Sequence, residues 1–209
     1  MTEVMTELVL YTNPQSRGRI AHWMMEELGV PYRTEWIQYG AEMKSPAYLA
    51  VNPMGKVPAI THGDTVITET AAICMYLADL YPEAKLAPAI GDPRRGTYLR
   101  WIVFNQAAVE PAITDKALKR EPGPASTLSY GTYDATIEAL AGALAAGPYI
   151  LGDQFSAADI VVGAGVRWML GWKLLPERRE FTTYVEVLTA RPALQRALAA
   201  DQEIAARLG

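Results

Sequence analysis

The chain has 209 residues, a net charge of −4, half of its residues hydrophobic and a fifth charged, which is ordinary for a soluble globular protein of one domain or two small ones. The acid excess and the lack of a basic stripe exclude a nucleic-acid backbone as partner, and no run of about 18 apolar residues can span a membrane. Met1 to Glu7 is acidic without the charged-then-apolar pattern of a signal peptide, the single Cys74 forbids an internal disulfide and fits a reducing cytoplasm, and with only His22 and His62 beside it no metal site is expected.

Leu8-Val9-Leu10-Tyr11 is a short apolar run closed by Asn13-Pro14, the signal of a strand and turn. From Ser16 onward Ile20, Trp23, Met24 and Leu28 recur at helical spacing, and Gly29 stops that helix. Tyr32 to Ile37 alternates as a second strand. Pro58 to Thr61 and Thr65 to Thr68 flank Gly63-Asp64 as a hairpin, and a helix follows from Glu69 to Leu80. The order predicts a compact α/β unit: two strands joined by a helical crossover, then an antiparallel pair.

Prolines punctuate Tyr81 to Pro93, and beyond them strand signals fade. Residues 94–109, 128–146, 157–170, 177–190 and 192–208 read as helices, interrupted at Pro111, Pro122 to Pro124, Gly147-Pro148 and Pro176. The expected division is an α/β domain at 1–82, a linker at 83–93 and an all-α domain at 94–209.

Candidate chemistry begins with Ser16, where a strand hands over to a helix. Its hydroxyl either caps the helix or donates a hydrogen bond to an external anion at the helix's positive end, and a thiolate suits that position. Tyr11 and Asn13 carry alternative donors in the same loop, with strand packing as the other reading of Tyr11. Pro58 cannot donate to a sheet, yet Ala59-Ile60 behind it read as a strand. A cis Val57-Pro58 bond resolves the conflict and leaves the Val57 backbone free to pair with an extended peptide. Glu69-Thr70 opens a helix whose first N–H groups can hold a carboxylate, and Lys56 is a further candidate for a ligand carboxylate. Together these residues point to a small acidic peptide.

In the second half, Trp101, Asn105 and Trp168, with Tyr11 from the first, are either core or the wall of an apolar co-substrate pocket. Ser156 and Asp159 read as a structural capping box. Cys74 reads as a buried inert thiol, and His22 and His62 as surface or packing residues without a partner in sequence.

Asn52-Pro53-Met54-Gly55-Lys56-Val57-Pro58-Ala59-Ile60, Thr68-Glu69-Thr70-Ala71-Ala72-Ile73 and Gly152-Asp153-Gln154-Phe155-Ser156-Ala157-Ala158-Asp159-Ile160 resemble the cytosolic glutathione transferases over essentially the whole chain. The resemblance implies a thioredoxin-like N-terminal domain, an all-helical C-terminal domain and a homodimer. It implies that glutathione, as co-substrate, pairs its cysteinyl backbone with Val57 beside Pro58 and its γ-glutamyl group with Glu69 and Thr70. Its thiolate would attack a hydrophobic electrophile in the cytoplasm, in a detoxification role. Ser16 fits a serine-type, bacterial-style site of unassigned class, with Tyr11 and Asn13 as alternatives. The same scaffold also supports glutathione-dependent isomerases, dehalogenases and peroxidases, and non-catalytic ligand-binding or docking proteins.

Overall fold

A computed structural model describes residues 7–208. Its first part runs β1 (Leu8–Thr12), α1 (Gly18–Leu28), β2 (Arg33–Trp36), a short α2 (Pro46–Val51), β3 (Ala59–His62), β4 (Thr65–Thr68) and α3 (Thr70–Leu80). The second holds α4 (Arg94–Phe104), a π-helical segment Asn105–Val109, α5 (Glu110–Ala117), α6 (Tyr133–Leu144), α7 (Ala157–Gly171) and α8 (Arg179–Thr189), and α9 (Pro192–Leu208) ends the chain. No helix among the described residues is long and apolar enough to cross a membrane.

The sheet order is β2-β1-β3-β4, with β1 parallel to β2 and antiparallel to β3, and β3 antiparallel to β4. Leu8, Val9 and Leu10 are all buried, as expected of a central strand covered on both faces. Apolar spacing along α1 buries Ile20, Trp23, Met24 and Met25, and Gly29 at φ 66° provides the left-handed residue that ends the helix. The sequence missed α2, whose six residues are too few to show a period; Ser45 caps it, accepting from the Tyr48 N–H at 3.2 Å, and Pro46 opens it.

Contacts divide the chain between Ala84 and Lys85, and from Pro192 onward the chain rejoins the first unit. This differs from the expected division, which kept 94–209 together: α9 packs on α1, with Asp201 receiving Arg19 and His22, and Arg196 reaching Glu26 at 2.8 Å. His22 is therefore buried and partnered rather than a lone packing residue.

The other unit is built on α7, whose Ala157 to Gly163 are buried all round. Gly163 is required there, since a Cβ would stand 2.1 Å from Leu188 Cδ1 on α8. Pro111 was expected to interrupt the helical run, but α4, the π-helical segment and α5 continue without a break from Arg94 to Ala117, and the widened turn before Pro111 takes up its missing N–H. The chain passes it through the π-helical segment, in which Glu110 N–H reaches the Asn105 carbonyl. Helix α6 starts at Tyr133 instead of near residue 128, because Thr132 caps it, accepting from Ala135 N–H at 3.2 Å.

Candidate active site

Sheet register collects three segments at one end of the first unit. Tyr11 on β1 pairs with Ala59 on β3, and Ala59 pairs in turn with Thr68 on β4. The loop after β1 (Asn13 to Arg17), Val57-Pro58 before β3 and Glu69-Thr70 after β4 thus lie side by side along that edge.

In the first segment Asn13 is buried and committed to the loop. Its Nδ2 donates to the Ile37 carbonyl at 2.9 Å and its Oδ1 accepts from Gln15 N–H at 2.9 Å. Its carbonyl receives both the Ser16 N–H at 3.1 Å and the Ser16 hydroxyl at 2.8 Å. The Ser16 Oγ accepts from Gly18 N–H at 2.9 Å, so the capping reading of Ser16 is realised in this conformation. Gly18 has no room for a side chain: a Cβ would lie 2.1 Å from Thr12 Oγ1. Sequence reasoning passed over Thr12, which is fully buried beneath the loop with no hydrogen-bond partner for its hydroxyl among the described residues. Tyr11 packs its ring on Tyr48 at 5.9 Å, beside Ile37 and Met43.

In the second segment the Val57-Pro58 bond is cis. The preceding turn is fixed from below: Tyr48 hydroxyl and Asn52 Nδ2 each donate to the Lys56 carbonyl at 2.7 Å. Burial pushes the Tyr48 phenol up to about 12, so it remains a donor at neutral pH. Gly55, at φ 56°, tolerates no side chain, because a Cβ would stand 2.5 Å from the Met43 carbonyl oxygen. Lys44 is the lysine that turns inward, donating to the Met54 and Gly55 carbonyls at 2.9 and 3.1 Å, while Lys56 is exposed. No hydrogen bond occupies the Val57 N–H or C=O among the described residues.

In the third segment Glu69 caps α3 at φ 66° and ψ 117°, a conformation that only glycine adopts freely. Non-glycine residues held there concentrate at ligand-binding positions. Its carboxylate is exposed and has no partner among the described residues, whereas Thr70 beside it is buried. One turn further on Cys74 is fully buried and burial pushes its thiol up to about 12, so it is inert. Arg19, one turn beyond Ser16, gives its guanidinium to Asp201 at 3.2 Å.

Within the helical unit, Trp101 is buried edge-on to Phe104 at 5.2 Å, and Trp168 meets Trp172 edge-on at 5.3 Å. Asn105 is buried in the π-helical segment opposite Gly165 of α7. Asp159 Oδ2 accepts from the Ser156 N–H and hydroxyl at 2.9 and 3.1 Å, and Oδ1 from Ile150 N–H and the Tyr184 hydroxyl at 2.7 and 2.9 Å. Burial pushes this carboxyl up, against the pull of those four donors.

Two family models match, the glutathione S-transferase N-terminal domain over residues 17–80 and the C-terminal domain over residues 115–200. The glutathione S-transferase-like protein gedE of Aspergillus terreus is 30% identical over 166 residues, covering 72% of each chain. The chain belongs to the glutathione S-transferase family. Among solved structures, a glutathione transferase from Methylococcus capsulatus is 29% identical with a TM-score of 0.77, over 93% of this chain and 98% of that one. A glutathione transferase homologue from Sulfitobacter, solved with bound glutathione, is 27% identical with a TM-score of 0.74, over 96% and 99%. A thioredoxin-like α/β part followed by an all-helical part is therefore the glutathione-transferase fold of this chain.

Proposed function

We propose that the protein is a glutathione transferase that binds glutathione along the sheet edge and activates its thiol for attack on a hydrophobic electrophile. The observation carrying this reading is the register that sets the free Val57 backbone beside Glu69, with its unpaired carboxylate and left-handed backbone. Val57 would exchange backbone hydrogen bonds with the cysteinyl residue. The Glu69 carboxylate would take the γ-glutamyl ammonium, and Thr70 with the first N–H groups of α3 its carboxylate. Lys56 would meet the glycine carboxylate. The glutathione-bound Sulfitobacter structure supports the ligand.

Ser16 is the proposed activator. Lowering a thiol pKa of about 8.5 by two units requires roughly 2.7 kcal/mol in favour of the anion. A hydrogen bond to a charged acceptor is worth about 1.5–3 kcal/mol and a helix terminus about 0.3–1. The Ser16 proton now rests on the neutral Asn13 carbonyl, a bond worth about 0.5–1.5 kcal/mol, so turning it to a thiolate is favourable. The sulfur then forms its bond to the electrophile directly, with no covalent enzyme intermediate. Asn13, saturated by Ile37 and Gln15, and Tyr11, packed on Tyr48, are less available. Trp101, Asn105 and Trp168 of the helical unit and, separately, Tyr11 of the first unit are the candidate contacts of the electrophile.

The engaged Ser16 hydroxyl also favours a second reading, a protein that binds glutathione without turnover. Calorimetry with glutathione and a thiol-conjugation assay separate the two. Binding with conjugation supports the transferase, binding alone the carrier, and no binding at millimolar glutathione defeats both. A cytoplasmic homodimer completes the proposal, supported by the exposed apolar side chains of Met54 and Val66 in one unit and Leu99 and Val103 in the other; light scattering on purified protein tests it.

A further inference from the structure

Thr12 breaks the pattern of β1. The strand runs Leu8-Val9-Leu10-Tyr11, and a hydroxyl then takes the place next to the loop, fully buried and with no hydrogen-bond partner for Oγ1 among the described residues. Burying a hydroxyl unpaired costs folding free energy, and a valine of the same shape would avoid that cost and suit a central strand as well. A buried polar group left unsatisfied in a native protein calls for an explanation, and a role in catalysis is one.

The surroundings of the hydroxyl supply such a role. Gly18 has no side chain, and a Cβ there would meet Thr12 Oγ1 at 2.1 Å and Ser16 Oγ at 2.9 Å. The two hydroxyls therefore border the same point, beside the bare Cα of Gly18, and neither bonds to the other. The Thr12 carbonyl accepts from Ile37 N–H at 2.8 Å, so its side chain is presented from a paired strand rather than from the loop. Ser16 Oγ accepts one hydrogen bond, from Gly18 N–H, and has no second donor among the described residues.

We propose that Thr12 is a positioning residue for the thiol chemistry: when the Ser16 proton turns from the Asn13 carbonyl to the glutathione sulfur, the Thr12 hydroxyl donates to Ser16 Oγ. This rests on the reading of Ser16 above and deepens it. Each hydroxyl keeps its own proton, and only the direction of the bonds changes. The Asn13 carbonyl gives up the Ser16 hydroxyl but keeps the Ser16 N–H. A hydroxyl that accepts while it donates is the stronger donor, by roughly 10–30% per bond in a chain. Thr12 gains its partner only when Ser16 serves the sulfur, so the bond favours the ionised thiol over the neutral one.

The test is the pH at which bound glutathione shows its thiolate absorbance near 240 nm, in wild type, Thr12→Val, Thr12→Ser and the pair Ser16→Ala with and without Thr12→Val. The proposal expects Thr12→Val to raise that pH by roughly half a unit and Thr12→Ser, which keeps the hydroxyl, to stay within about 0.2 unit of wild type. Once Ser16 is alanine, Thr12→Val should shift nothing further. Thr12→Ala takes the place of the valine variant if that one does not fold. A shift below about 0.2 unit in Thr12→Val, an equal shift in Thr12→Ser, or the same shift with and without the Ser16 hydroxyl overturns the role of Thr12 and leaves the transferase reading standing. A wild-type protein that binds no glutathione, or in which the bound thiol ionises no more readily than the free one, overturns both.

Discussion

The Ser16 hydroxyl donates to the Asn13 carbonyl at 2.8 Å, so the proton proposed for a thiolate is shared with the loop that positions it. Ser16→Ala removes both functions, and they separate experimentally. The loop loses a helix-capping acceptor for Gly18 N–H, which lowers stability by about 0.5–2 kcal/mol. Bound glutathione should show its thiolate absorbance near 240 nm at a pH about one to two units higher than in wild type, matching the loss of one charge-assisted bond. Affinity for glutathione should stay within a few-fold. An unchanged titration alongside a lowered melting temperature would reduce Ser16 to a cap.

Glu69 holds a costly backbone conformation and an unpaired carboxylate at the same place. Glu69→Ala should weaken glutathione binding about tenfold by calorimetry, the weight of one charge-assisted hydrogen bond at an exposed site. Glu69→Gly should weaken binding equally while recovering the strain of φ 66°, so its melting temperature should lie above that of the alanine variant. Equal melting temperatures would mean the strain is absorbed elsewhere.

Asp159 carries a pH signature because burial is the largest influence on its carboxyl and raises its pKa. A carboxyl whose folded pKa exceeds its unfolded value of about 3.9 contributes its full stabilisation below that value and loses it as pH rises through the folded one. Asp159→Asn has no such group. The stability difference, wild type minus Asp159→Asn, should therefore be largest near pH 4 and shrink as pH rises, read from urea unfolding at a series of pH values. Asp159→Ala should cost about 3–5 kcal/mol at neutral pH, since it orphans donors from Ile150, Ser156 and Tyr184. A difference that grows with pH would contradict the raised pKa.

What the sequence made legible follows interaction range. Pro58, Gly55 and the Glu69-Thr70 step are local signals, because proline and glycine restrict their own backbone whatever surrounds them. Strand alternation then fixed the hairpin, and the hairpin brings residues 57 and 69 together. Side-chain direction was not legible: Lys56 stands in the motif, but Lys44 is the lysine that caps the turn. The π-helical segment was hidden because Pro111 reads as a stop, and only a widened turn just before it lets the helix run on. The partnership of His22 with Asp201 spans 179 positions, beyond any periodic pattern, and only the packing of α9 on α1 creates it.

That same pair makes the last helix part of the first unit, and it predicts how the unit comes apart. Asp201 Oδ1 meets His22 Nδ1 at 2.8 Å and Oδ2 meets Arg19 Nε at 3.2 Å, with His22 and Asp201 both buried. Removing one partner of a buried ionic cluster costs about 3–5 kcal/mol, and the partial exposure of Arg19 places Asp201→Ala near the low end. If the cluster is what holds α9, amide hydrogen exchange in Asp201→Ala should quicken throughout residues 192–208 and along the facing side of α1, while α3 keeps its protection. Asp201→Asn retains an acceptor of the same shape and should recover part of that protection. In a double-mutant cycle, Asp201→Leu and His22→Leu together should cost less than the sum of the two singles, since neither member of the buried pair is then left without the other and the partly exposed Arg19 can turn to water. Additive losses would mean that α9 is held by its apolar residues, with Leu194 and Ala197 as the anchors and the cluster only lying over them.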